Sequence, residues 1–68
     1  MTNNKEKRYL DRKVNYAIEM HNEGYSWNYI WEDLYMELSY EGTVDGSTIE
    51  VYVDLIIRWA KDIVMYQI

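Results

Sequence analysis

Three glycines and no proline punctuate the 68 residues, and the glycines fall at 24, 42 and 46. These positions cut the chain into long uninterrupted stretches, each of which has to be read as one element. Before Gly24, apolar residues recur at Leu10, Val14, Ala17, Ile18 and His21, which are one face of a helix starting near Lys5. Gly24 fits the position just past a helix end, where a left-handed residue is needed, so the first helix is expected to stop near Asn22. After Gly46 nothing breaks the chain, and "STIE" (Ser47 to Glu50) has the form of a capping box opening a helix that runs to about Tyr66.

The middle stretch, "EGYSWNYIWEDLYMEL", first looks like a strand, because Tyr25, Trp27, Tyr29 and Trp31 alternate. The alternation fails after Trp31, whereas Trp27, Ile30, Trp31, Leu34 and Leu38 keep helical spacing. Ser26 is a suitable N-cap, with Tyr25 and Ile30 placed to form a hydrophobic staple. A helix over about Ser26 to Tyr40 is therefore expected, with Trp27 and Trp31 facing inward. Tyr29 falls on another face, with Asp33, Met36, Glu37 and Tyr40.

The expected architecture is all-α: a frayed stretch over residues 1–4 and one compact three-helix domain over 5–68. An α+β alternative exists, because Ile49, Val51, Val53, Leu55 and Ile57 alternate with polar residues and a "DG" turn precedes them. A hairpin over 42–58 would use that pattern. Read as a helix, the last stretch is apolar almost all round. Tyr52, Leu55, Ile56, Trp59, Ala60 and Ile63 lie on one face, and Ile49, Val53, Ile57 and Val64 on another. Such a helix is buried on more than one side, which implies a central position or a second chain, so a homodimer is one expectation.

Charge narrows the function. Up to Lys13 there are five bases and two acids; from Val14 onward there are ten acids and only two bases, Arg58 and Lys61. A surface of that sign repels nucleic-acid phosphate and attracts basic proteins. The chain has no Cys and one His, which leaves no disulfide and no thiolate metal site, and no cofactor is expected. A polar N-terminus and an apolar C-terminal stretch broken by Asp54, Arg58, Lys61 and Asp62 fit a cytoplasmic protein without a leader or membrane span. Carboxylate pairs such as Glu32/Asp33 or Glu37/Glu41 could be drawn as acid–base dyads. General acid–base work needs a pocket that perturbs their pKa values, and a chain this short has little depth for one, so no enzyme activity is expected.

Gly24, Ser26, Ile30 and Leu34, followed by "GSTIEVYV", resemble the helix-turn-helix domains of small phage and recombinase regulators, over about Val14 to Arg58. The resemblance implies that the third helix is the recognition helix. Its outward residues are Glu50 and Asp54, with Asp45 in the turn before it, where readers of the major groove carry Arg, Lys, Asn and Gln. A helix-turn-helix DNA-binding regulator that reaches DNA through its basic N-terminus is therefore the alternative expectation.

The leading expectation is a small acidic protein that covers the DNA-contacting surface of a basic repressor or nuclease. It is similar in size, acidity and layout to the antirepressors and modulators of repression of temperate phages and to anti-CRISPR proteins. The candidate partner-binding residues are Tyr29, Asp33, Met36, Glu37, Tyr40, Glu41, Asp45, Glu50 and Asp54. Tyrosine and methionine supply apolar contact of the kind enriched at interfaces, and acids supply orientation and fast encounter.

Overall fold

The computed structural model describes residues 4–42 and 44–66, with side chains from Lys7 onward. It contains three α-helices: α1, Asn4–Asn22; α2, Trp27–Glu41; and α3, Ile49–Tyr66, which a single turn of 3-10 helix, Gly46–Thr48, introduces. The all-α three-helix expectation is met. Residues 49–66 are helical throughout, so the hairpin alternative is excluded. Of the stretch expected to fray, residues 1–3 lie outside the described residues, and α1 already begins at Asn4.

The helix ends form as their sequences imply. At the end of α1, Gly24 takes a φ of 104°. The Tyr25 amide then bonds the Met20 carbonyl at 3.2 Å and the Gly24 amide bonds that of His21 at 3.0 Å, a Schellman closure. Ser26 caps α2 by accepting the Tyr29 amide at 3.1 Å. Gly42 ends α2 in the left-handed conformation, its amide on the Leu38 carbonyl.

The start of α3 differs from the expected capping box. The Ser47 hydroxyl donates instead to Asp45 at 2.6 Å, and the Thr48 amide and hydroxyl both bond the Asp45 carbonyl. Because Ser47 and Thr48 sit in the 3-10 turn, the serine is already inside the helical path and turns back to the aspartate before it.

Cross-helix contacts fix the topology. Tyr9 and Lys13 near the start of α1 meet Glu41 at the end of α2, and His21 at the end of α1 meets Trp27 at the start of α2. Trp31 meets Asp54 and Trp27 meets Lys61 across α2 and α3. The helices therefore run up, down and up. Each packs on both others, with α3 central as its apolar pattern implies.

The core is Val14, Ala17 and Met20 from α1, Ile30, Leu34 and Leu38 from α2, and Ile49, Val53, Ile56, Ile57 and Ala60 from α3. Two expectations change in detail. Met20 is buried where His21 was expected to be, and Trp27 and Trp31 flank the core, half-buried, instead of filling it. Between three thin helices the space suits branched aliphatics. An indole is wide enough to bridge from one helix to the next, and it keeps its N–H within reach of a partner at the edge. No helix of the described residues is long and apolar enough to cross a membrane.

Candidate functional site

The acids of α2 are held by α1. Tyr9, Lys13 and Tyr16 occur at steps of four and three residues, and Glu41, Glu37 and Asp33 at steps of four, so two antiparallel helices bring the sets into register. The Lys13 ammonium bridges Glu37 and Glu41, lying 2.8 Å from the latter. Tyr9 donates to Glu41, and the Tyr16 hydroxyl donates to Asp33 Oδ2 at 2.6 Å. The hydrogen bond to Asp33 raises the Tyr16 pKa, and partial burial and neighbouring negative charge add to the shift. Burial of the Lys13 ammonium acts to lower its pKa, but hydrogen bonds and charge attraction from Glu37 and Glu41 outweigh it, and the net shift is upward.

The nine candidate residues therefore separate into groups. Asp33, Glu37 and Glu41 lie along the seam between α1 and α2, already hydrogen-bonded. Asp45 is occupied by Ser47 and Thr48 in the turn before α3. Asp54 accepts the Trp31 indole N–H at 2.7 Å on the far side of α2, and Glu50 is exposed one turn before it. Tyr29, Met36 and Tyr40 point away from both neighbouring helices and are 51%, 59% and 89% exposed.

The outer face of α2 is thus a strip of exposed tyrosine and methionine between two acidic borders. Asp33, Glu37 and Glu41 form one border and exposed Glu32 the other, with Asp54, held by Trp31, further round the helix. Side-chain stacking stiffens the strip at both edges. Tyr25 lies on Tyr29 with ring centroids 4.9 Å apart, and Trp31 lies on Tyr35 at 5.4 Å. Tyr35, Met36, Ser39 and Tyr40 shape a shallow, open depression near its C-terminal end.

Sequence reasoning placed the strip on one side of α2 but missed the α1 residues that hold its border. Tyr9, Lys13 and Tyr16 share one helical side at spacings that match the three acids, and that match is visible in the sequence. It becomes meaningful only once the two helices are known to run antiparallel. Tyr25 and Tyr35 were also missed; both extend the aromatic surface.

His21 is half-buried and stacks on Trp27 at 4.5 Å, and the Lys61 ammonium lies over the same indole at 5.8 Å from its centroid. That cluster closes one end of the bundle.

Comparison with known proteins places the chain in no established family. No family model matches it, and no curated protein or solved structure is significantly similar.

Proposed function

We propose that the protein acts by binding another, basic protein through the outer face of α2. Tyr29, Met36 and Tyr40 would supply the apolar contact, and the flanking acids would supply attraction and orientation. The observation that carries this reading is the exposure of those three side chains together on one helix side. A small domain has little reason to leave them in water when its core is complete without them.

The partner proposed is a DNA-binding repressor or nuclease, and the mode of action is competition. Arg and Lys side chains that otherwise hold phosphate would turn to carboxylates of the α2 borders and to Glu50, so DNA and this chain would exclude one another. Carboxylates already bonded to α1 keep lone pairs for a second donor, since each oxygen accepts more than one hydrogen bond. The long-range negative field would raise the rate of encounter more than the final affinity.

The engagement of Glu37 and Glu41 by Lys13 decides which variants test the reading. Reversing either charge would also weaken the α1–α2 seam and confuse binding with stability. Tyr29→Ala combined with Tyr40→Ala leaves the core untouched. Recovery of proteins from lysate of the producing cells by the wild-type chain and by this variant is the test. The reading predicts a basic DNA-binding protein held by the wild type and lost by the variant. Equal recovery by both would contradict it.

A further inference from the structure

α3 carries more apolar surface than the bundle covers. Beside its core-facing residues runs a second stripe: Tyr52 and Leu55, half-buried, then Trp59, Ile63 and Tyr66, which are 43%, 39% and 90% exposed. The steps between them are three, four, four and three residues, so the stripe stays on one side of the helix for almost its whole length. It also reads alike in both directions: aromatic, aliphatic, aromatic, aliphatic, aromatic, with Trp59 at the centre.

We propose that this stripe is the interface of a two-fold symmetric dimer, in which α3 packs antiparallel on α3 of a second copy with the axis passing at Trp59. A two-fold interface must be self-complementary, because each residue pair occurs twice with the roles exchanged. The palindrome satisfies that condition. With Trp59 on the axis, Leu55 meets the partner's Ile63, and Tyr52 meets the partner's Tyr66. Each aliphatic side chain then faces an aliphatic one, and each aromatic an aromatic one.

Charge selects the same occupant and the same direction. Arg58 and Asp62 are exposed along the edge of the stripe that lies away from the core, and neither forms an ion pair with a described residue. When two copies of a helix pack antiparallel, like edge faces like edge. Arg58 then comes beside the partner's Asp62, and Asp62 beside the partner's Arg58. The midpoint of 58 and 62 is one residue from Trp59, so with the axis at Trp59 the two charges of each pair are offset by about 3 Å along the helix, still within the reach of an arginine. A parallel pair would instead put the two edges on opposite sides of the interface, so that neither Arg58 nor Asp62 would meet a charge of the partner's same edge. An unrelated partner would require neither the palindrome nor the charge symmetry. The contact uses α3 and leaves the outer face of α2 open, so it does not depend on the function proposed above.

Sedimentation equilibrium on the full chain tests it, with Arg58→Asp, Asp62→Arg and the double exchange, each checked for unchanged helical circular dichroism. The wild type is expected to dimerise. Each single reversal is expected to weaken the dimer by about tenfold or more, because two like-charge contacts replace two attractive ones. The double exchange is expected to restore affinity, since the pairs are re-formed with their signs swapped. Trp59→Glu, which removes the central contact without touching the core, should be monomeric. A wild-type chain that stays monomeric up to ~1 mM, a dimer that survives Trp59→Glu, or a double exchange no better than the single reversals would each overturn the proposal.

Discussion

Lys13 of α1 and Glu37 of α2 are bonded side chain to side chain across the seam between the two helices, and Glu41 shares the same ammonium one turn further on. The lysine side chain keeps only 12% of its surface, while the two glutamates keep about a third of theirs. That places the triad between a surface ion pair, worth about 0–1 kcal/mol, and a fully buried one, whose disruption costs about 3–5 kcal/mol. Lys13→Ala is accordingly expected to lower stability by about 1–3 kcal/mol in urea unfolding. A loss indistinguishable from that of Lys7→Ala, an exposed control, would show that the bridge does not hold the seam.

The same seam predicts an alkaline weakening. The pKa values of Tyr16 and Lys13 are both raised by their α2 partners. Above about pH 10, where tyrosine and lysine of an unfolded chain begin to lose their protons, the native chain keeps them longer. The unfolded state then binds fewer protons than the native one, so stability falls as pH rises. The contribution is fully present below about pH 10 and declines above it. Tyr16→Phe, which cannot ionise, should flatten part of that decline in pH-dependent unfolding. An unchanged profile would remove Tyr16 from the explanation.

Core and strip residues of α2 should behave oppositely. Leu34 is fully buried among all three helices, and Leu34→Ala is expected to cost about 2–5 kcal/mol. A domain of this length has a total stability of roughly 3–10 kcal/mol by the usual per-residue figure, so the variant should be close to unfolded at room temperature. Tyr40→Ala, four-fifths or more in solvent, should change stability by less than about 0.5 kcal/mol. A large loss at Tyr40 would mean that the strip serves the fold and not a partner.

Helix ends give a fourth expectation. Gly24 holds a φ of 104°, so Gly24→Ala should cost about 1 kcal/mol or more through backbone strain alone, since no atom lies near enough to clash. Ser26→Ala should cost about 1 kcal/mol by freeing the Tyr29 amide. Thermal unfolding of the two single variants and the pair would check both values.

Much of this fold is written locally. Gly24, Ser26 and Gly42 mark helix ends by conformations that hardly depend on the rest of the molecule, and the helical spacing of Ile30, Leu34 and Leu38 announces a buried face. The sequence was less clear where two helices had to be compared. Trp27 and Trp31 share the helical spacing of the core residues, but whether an indole goes to the centre or the flank depends on how closely three backbones approach. The capping box at Ser47 failed for a local reason: Ser47 lies inside the 3-10 turn that follows Asp45 and not at the N-cap, so its oxygen is not placed to accept a first-turn amide and its hydroxyl donates back to Asp45.

The candidate site was legible in part for the same reason. Tyr29, Met36 and Tyr40 were identified by helical position alone, and they are exposed as expected. The acids at 33, 37 and 41 could be placed on α2, but their bonds to Tyr16, Lys13 and Tyr9 depend on the antiparallel register of α1, which no local pattern encodes. The second apolar stripe of α3 was visible as an excess of apolar residues. The structure shows which of them the core takes and which it leaves at the surface.

If the outer face of α2 occupies, as proposed, a site on a basic protein that DNA would otherwise fill, then DNA and this chain compete for that protein. The most direct measurement is the release of the recovered partner from the immobilised chain by increasing concentrations of duplex DNA. Competition predicts complete release, with the DNA needed rising in proportion to the chain present. A partner that stays bound at saturating DNA, or a ternary complex of chain, partner and DNA, would contradict it.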